Sequence, residues 1–259
     1  MSDVWANGDA YEPYIGRWSR LVATEFLDWL AIPVQQRWFD VGCGPGTLSA
    51  AIVARWEPAA VVGIDPSKEY VSWAADHMED PRVHFAVGDA TDLPANGADV
   101  VVSGLVLNFM PDPAAALAAM REAAPSGIIA AYVWDYAGRM ELIRHFWNTA
   151  VALDPAAAQL DEGVRFPICR PDALEALWDQ AGFTNVASRT IDVPTRFRDF
   201  EEYWTPFLGG QGPAPSYAMS LDDEHRATLR ERIRAGLPIA PDGSVSLLAR
   251  AWAIKGQAV

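Results

Sequence analysis

Cysteine is almost missing from this chain: Cys43 and Cys169 are the two it has among 259 residues. Two thiols cannot build a disulfide framework, and a chain of this length buries enough surface to fold without one. Their scarcity suits a reducing compartment, so a cytoplasmic location is expected. Cations are scarce as well, Lys and Arg numbering 20 against 34 acids for a formal net charge of −14. A protein that grips nucleic acid or an anionic membrane by phosphates needs a positive face. The arginines of "EHRATLRERIRAG" and "LLARAW" alternate with acids and apolar residues and read as solvated faces, so neither partner is expected. Long apolar runs are lacking: "VVVSGLVLNFM" stops at Pro111, short of the roughly 18 apolar residues of a membrane span. The opening "MSDVWANGDAYEPY" has no basic stretch followed by an apolar one, so no secretory leader is expected. His77, His84, His145 and His225 are scattered and neither cysteine has a partner at ligand spacing, so no metal is expected.

What is present is a regular alternation. "RWFDVG", "AVVGID", "RVHFAVGD", "ADVVVSGLVL" and "GIIAAYVW" read as strands, and "TLSAAIVARW", "SKEYVSWAADHM" and "PAAALAAMREAA" as helices. Near-continuous Val/Ile runs separated by helices indicate a parallel sheet covered on both faces, hence an α/β fold. Ahead of them, Ile15, Trp18, Val22, Phe26 and Trp29 mark one face of a helix over 15–30. Beyond Trp134 the pattern loosens. Helices are expected over 139–153, 171–182 and 221–236, and two strands at "NVASRTIDV" and "SVSLLARAWAI". "FLGGQGPAPSYAM" reads as a surface loop or part of a lid. The whole is expected to be a single domain, with a core over 11–135 and cap insertions at 136–170 and 195–243.

"FDVGCGPGT" (39–47) places Gly42, Gly44 and Gly46 between a strand and a helix. Such a turn lets a ligand approach the backbone, and the helix that follows offers free N–H groups. Dinucleotide sites carry a further glycine at the sixth position of the motif, where this chain has Thr47. That argues for a ligand without a pyrophosphate and against a nicotinamide dehydrogenase. Three further features stand at successive strand ends. Asp65 in "GID" is placed to accept both hydroxyls of a ribose. Asp89 in "VGDA" is placed for an exocyclic adenine amine, with Ala90 offering its N–H, and Ser103 and Gly104 close the fourth strand.

These residues make the sequence resemble the class I S-adenosylmethionine-dependent methyltransferases, in particular the small-molecule, type 11-like branch. "FDVGCGPGT", "VVGIDPS", "FAVGDATDLP", "ADVVVSGLVLNFMPDPAAAL" and the terminal strand pair carry the resemblance over about 11–257; "APSGII" stands where members often have "KPGG". The resemblance implies a Rossmann-like, seven-stranded, mostly parallel sheet ending in an antiparallel hairpin. It also implies S-adenosylmethionine as cofactor, S-adenosylhomocysteine as product and a small molecule as acceptor. Carried over by residue, Gly42, Cys43, Gly44 and Gly46 lie against the methionine part and Asp65, Pro66 and Ser67 hold the ribose. Gly88, Asp89 and Ala90 take the adenine, the backbone at Ser103, Gly104 and Leu105 takes the amino group, and Asp40 orders the turn or meets the ammonium. In "YEPYIGRWSR", which resembles the family's N-terminal lid, Tyr14, Arg17 and Trp18 are candidates for the methionine carboxylate and the sulfonium pocket. Cys43 reads as a small filler rather than a nucleophile.

Methyl transfer is an in-line displacement with an excellent leaving group, so alignment supplies most of the rate. A neutral O–H or N–H acceptor also needs a base. Asn108, Asp135, Tyr136 and His145 are the candidate catalytic residues, with Asp135 or His145 as the base. Trp134, Trp147 and Trp204 are expected either in the core or as aromatic walls over the sulfonium. The alternative to an enzyme is a module that binds the cofactor and transfers nothing.

Overall fold

A computed structural model describes residues 12–210 and 212–259. Most of the opening stretch read for a leader, Tyr11 of the lid-like segment and Gln211 lie outside the described residues. A π-helical turn, Glu12–Gly16, runs into α1 (Arg17–Leu30), β1 (Arg37–Val41), α2 (Thr47–Trp56), β2 (Ala60–Asp65) and α3 (Lys68–His77). There follow β3 (Val83–Val87), β4 (Val100–Gly104), α4 (Pro113–Ala123), β5 (Ile128–Trp134), α5 (Glu141–Leu153) and α6 (Glu162–Arg165). The chain ends through α7 (Pro171–Gln180), β6 (Thr184–Phe197), α8 (Phe200–Trp204), α9 (Pro213–Ser220), α10 (Asp223–Gly236) and β7 (Val245–Gln257).

Several helices begin where a side chain satisfies a free N–H group. The Ser67 hydroxyl accepts from Tyr70 N–H at 3.2 Å and starts α3 just past the end of β2, and Asp112 accepts from Ala115 N–H at 3.0 Å to start α4. The seven strands run in the order β3-β2-β1-β4-β5-β7-β6, six parallel and one antiparallel, which is the Rossmann-like sheet expected. β1 pairs with both β2 and β4, Phe39 lying opposite Val62 and Val101. The order therefore reverses between β1 and β4, and ligands of such sheets sit outside the carboxyl ends at that point. Burial on both faces of β4 and β5 explains their unbroken apolar runs.

The structure differs from expectation in three places. β3 stops at Val87, short of Asp89, although Gly88 still donates its N–H to the Asp65 carbonyl at 3.1 Å as the last bond of the parallel ladder. β6 continues past Pro194 to Phe197; it is the last strand of the sheet, and an edge tolerates the N–H that proline lacks. Part of the presumed loop is helix α9, with Ala214, Tyr217 and Ala218 buried. Its Pro213 and Pro215 lie in the first turn, where N–H groups have no partner within the helix in any case.

The chain packs as two units. One comprises the segment ending at Trp18 with Trp134–Pro167 and Asp192–Arg250; the other comprises Ser19–Val133, Ile168–Ile191 and Ala251–Val259. In the second, Phe26 lies 4.7 Å from the Tyr132 ring and the Trp178 indole donates to the Ile129 carbonyl at 3.4 Å. In the first, Phe146 stacks on Phe207 at 4.7 Å, and Tyr203 Oη donates to the Leu142 carbonyl at 2.8 Å. Trp134, Trp147 and Trp204 are buried at 1%, 0% and 3% exposure, so core packing absorbs the tryptophans that stood open as aromatic walls.

Glu162 sits inside this aromatic core. It accepts from the Trp147 indole, with the Arg144–Asp161 ion pair (2.6 Å) and Tyr14 around it. Burial pushes its carboxyl up to about 8, outweighing the hydrogen bonds and Arg144, which pull it down. The folded chain thus holds a proton that the unfolded chain, at about 4.5, releases. This contribution is full below pH 4.5 and is lost as pH rises towards 8. Glu162→Gln keeps an oxygen acceptor and cannot ionise. Its unfolding midpoint is expected to fall less than wild type between pH 5 and 8 in calorimetric scans, and parallel curves would refute the assignment.

Candidate active site

Between Val41 and Thr47 the chain reverses with Gly42, Gly44 and Gly46 at φ +72°, +52° and +83°. This left-handed region penalises any residue with a Cβ. At Gly42 a side chain is barred a second time, since its Cβ would stand 2.5 Å from Val106 Cγ1. Gly44 is different: a Cβ there would meet nothing within 4 Å, so this backbone borders open space. The turn is stitched to the end of β2. Gly42 and Cys43 donate their N–H groups to the Ile64 carbonyl at 2.7 and 3.1 Å. Gly44 N–H donates to Asp65 Oδ2 at 2.9 Å, and Ser67 N–H to Asp65 Oδ1 at 2.8 Å. Asp65 is thereby held rigidly, each carboxylate oxygen using one backbone donor and keeping a lone pair. Burial raises its carboxyl, and those two N–H groups counteract the rise.

Several neighbouring polar atoms are buried without a partner. Asp40 accepts the Ser49 hydroxyl through Oδ2 at 2.8 Å, while Oδ1 is buried with no donor among the described residues. Burial pushes Asp40 up to about 7, with Ser49 lowering it and the Asp65 charge adding to the rise. Ser103 Oγ and both polar atoms of Asn108 are likewise buried and unpartnered. Buried polar groups are normally paired, and the exceptions call for a ligand or water. An open space beside Gly44, a fixed carboxylate and these unpartnered atoms suit a nucleoside bearing a charged amino acid. The backbone is strained here too: Leu105, immediately after β4, has φ +62°, its N–H bonded to the Tyr132 carbonyl at 2.8 Å. Gly104 is required by Tyr132, whose Oη would lie 2.6 Å from a Cβ.

The strand-end residues expected at the cofactor thus fall in one unit, and backbone bonds join the ends of β1, β2 and β3. Asp89 is exposed and accepts the Thr91 N–H and hydroxyl through Oδ1, which lower its carboxyl; Ala90 is half-buried. Pro66 is exposed and Ser67 Oγ is occupied as a helix cap. Cys43 is buried filler whose Sγ would lie 3.0 Å from a Cβ on Gly63, and burial pushes its thiol up, away from nucleophilic use. Tyr14, Arg17, Trp18, Asp135, Tyr136 and His145 belong to the other unit. Asp135 is folded into its own turn, its Oδ2 accepting from Arg139 N–H at 2.9 Å above Gly138. Tyr136 is buried 5.9 Å from the Phe166 ring. His145 is half-buried, which lowers its imidazole against the opposing pull of Glu141. Sequence reading did not single out Ser49, Val106, Tyr132 or Glu162; each acts through packing or a pairing that no local pattern announces.

The family described as methyltransferase domain matches residues 39–127, the part that contains the glycine turn, Asp65, Asp89 and Asn108. A trans-aconitate 2-methyltransferase of Streptomyces avermitilis is 34% identical over 226 residues, covering 83% of this chain and 82% of that protein. Another, from Methylobacterium nodulans, is 31% identical over 236 residues, covering 87% and 88%. Among solved structures, phosphoethanolamine N-methyltransferase 2 of Haemonchus contortus in complex with S-adenosyl-L-methionine superposes with a TM-score of 0.60 at 14% identity, covering 97% of this chain and 56% of that one; this likeness speaks for the fold alone. A glycine turn bound to a strand-end aspartate, on a sheet of this order, and relatives matched along most of their length converge: the chain belongs to the class I S-adenosylmethionine-dependent methyltransferases, with S-adenosylmethionine as its cofactor and a small molecule as its methyl acceptor.

Proposed function

We propose that this enzyme transfers the methyl group to a carboxylate oxygen of a small polycarboxylic acid of the trans-aconitate kind, giving a methyl ester. The relatives that cover most of the chain are named for that acceptor. The observation that carries the reading is that Asp135, a candidate base alongside His145, has its Oδ2 bonded to Arg139 N–H within its own turn, and a carboxylate acceptor needs neither base. A carboxylate is anionic at neutral pH and attacks without a base, and dispersal of charge favours an anion meeting a sulfonium in a dry site.

In this reading the bound cofactor supplies an activated methyl group, and the chain supplies its placement. Gly42 and Gly44 border the methionine part, Asp65 accepts the ribose hydroxyls, and Asp89 and Ala90 face the adenine. Asp40 Oδ1 and the backbone at Ser103–Leu105 receive the ammonium. The segments 136–170 and 195–243 serve as the acceptor cap. Partners are small molecules, since a net charge of −14 repels nucleic acid and anionic lipid, and two buried cysteines outside any disulfide suit the cytoplasm. Among the described residues no helix is long and apolar enough to cross a membrane.

The test is to incubate the protein with S-adenosylmethionine and trans-aconitate, citrate, simple phenols and amines, reading S-adenosylhomocysteine and product mass. A base-labile methyl ester is expected from trans-aconitate; transfer to a phenol or amine alone would overturn the reading. Asp40 offers a second check. A cation beside Oδ1 favours its ionised form, so cofactor binding between about pH 5 and 7 should expel a proton. Calorimetry in two buffers of unlike ionisation enthalpy measures this, and zero release over that range removes Asp40 from the ammonium.

A further inference from the structure

Beyond the carboxyl end of β4 the chain is tightly fixed. Leu105 has φ +62°, and a short 3-10 turn, Leu107–Phe109, follows, with Phe109 N–H donating to the Val106 carbonyl at 2.8 Å. A left-handed residue other than glycine costs free energy, and such costs gather at working sites. The segment packs on the glycine turn, since a Cβ on Gly42 would stand 2.5 Å from Val106 Cγ1. Asn108, in the middle of the 3-10 turn, is 8% exposed. Neither its Oδ1 nor its Nδ2 has a hydrogen-bond partner among the described residues. An asparagine that shapes a turn bonds to nearby backbone, and this one does not. A buried amide with both ends open costs stability that an apolar side chain of the same shape would not.

The sheet order says what lies beside it. β1 to β5 are parallel, so their carboxyl ends fall along one edge in the order β3-β2-β1-β4-β5. Asp89, Asp65 and the glycine turn, assigned to adenine, ribose and methionine part, stand at the ends of β3, β2 and β1. The cofactor so placed runs along that edge towards β4. Of the unpartnered groups, Asp40 and Ser103 lie within β1 and β4, whereas Asn108 lies past the strand end, where the partner of the reacting methyl group belongs. All these residues belong to one packing unit. An amide also suits the chemistry. It donates to an anionic oxygen without the repulsion that a nearby arginine would exert on the sulfonium.

We propose that Asn108 Nδ2 donates to the attacking carboxylate of the methyl acceptor and fixes which oxygen is presented. This rests on the reading of the acceptor as a polycarboxylic acid. The test compares Asn108→Leu and Asn108→Asp with wild type. Calorimetry reads the unfolding midpoint of the free protein, the affinity for S-adenosylhomocysteine, and the binding of tricarballylate to the S-adenosylhomocysteine-loaded enzyme. Tricarballylate is saturated but carries the same three carboxylates, so its binding needs no turnover. Asn108→Leu removes two unpartnered polar atoms at nearly constant shape, so its midpoint should rise by about 2 °C or more. Its tricarballylate Kd, and KM for trans-aconitate, should rise about tenfold or more while S-adenosylhomocysteine affinity stays within about twofold. Asn108→Asp keeps the shape and repels a carboxylate, so tricarballylate should bind it weakest of the three. A fall in the Asn108→Leu midpoint would make Asn108 a support of the fold and overturn the proposal. S-adenosylhomocysteine affinity lost in both variants would assign the amide to the cofactor's carboxylate; affinity lost in Asn108→Leu and gained in Asn108→Asp would assign it to the ammonium. Either result overturns the proposal, as does tricarballylate binding that is unchanged in both variants or missing in wild type. Undiminished methylation of trans-aconitate by Asn108→Leu would refute the contact and leave the acceptor reading standing. Asn108-dependent tricarballylate binding without methylation of trans-aconitate would support the contact and refute only the acceptor reading.

Discussion

Asp65→Ala is expected to lower the affinity for S-adenosylmethionine by about a hundredfold or more while leaving the fold in place. A hydrogen bond to a charged acceptor contributes about 1.5–3 kcal/mol, and two ribose hydroxyls would each lose one. At roughly 1.4 kcal/mol per factor of ten, the pair accounts for that loss. The stability cost is smaller because effects oppose. Removing the carboxylate frees the Gly44 and Ser67 N–H groups, but Gly44 borders open space where water can bind, and the burial that raises the Asp65 carboxyl is relieved. Asp65→Asn is expected to do nearly as much harm. Both carboxylate oxygens accept backbone N–H groups, so whichever position the amide nitrogen takes, it meets a donor instead of an acceptor. Titration with S-adenosylhomocysteine decides the matter, and a Kd within threefold of wild type for Asp65→Ala would remove it from the ribose.

The elements around that carboxylate were readable because each rests on a short-range rule. Glycines at 42, 44 and 46 announce left-handed backbone, and all three adopt it. The apolar runs of β4 and β5 announce burial on both faces, and both are buried. What stayed hidden depends on long-range pairing or on exceptions to the rules. Two prolines and three glycines between residues 208 and 216 look like a loop, yet a proline in a first helical turn breaks no bond and α9 forms. Pro194 suggests that a strand ends, but an edge position lets β6 run on. Asp135 after a strand is readable as a candidate base, but the bond from Arg139 N–H that ties its Oδ2 into a turn is not. Glu162 is one acid among 34 in sequence, and only the aromatic core around it makes it a buried, proton-holding carboxyl. The Arg17 guanidinium donates to Glu202 Oε1 across 185 residues of chain separation, beyond any local pattern.

Gly42→Ala and Gly44→Ala are expected to separate the two uses of the glycine turn. At position 42 a methyl group suffers both the left-handed φ of +72° and the 2.5 Å approach to Val106 Cγ1. Those costs are about 1–2 kcal/mol for the backbone and about 1–3 kcal/mol for overpacking. At about 2–4 °C per kcal/mol for a chain of this size, the midpoint should fall by roughly 4–20 °C. Adding Val106→Ala should return part of that loss, a non-additivity expected only if the two side chains collide. At position 44 the φ of +52° costs alike, but no atom lies within 4 Å of the new methyl group. Its midpoint should fall by only about 2–8 °C, the backbone cost alone. The methyl group projects into the space assigned to the methionine part, so S-adenosylmethionine affinity should drop out of proportion, by about fiftyfold or more. Uniform destabilisation lowers the folded fraction of free protein and cannot mimic this when binding is measured well below the midpoint. A Gly44→Ala protein that binds the cofactor as wild type does would mean that the open side of the turn faces something else, and the placement of the methionine part would have to be given up.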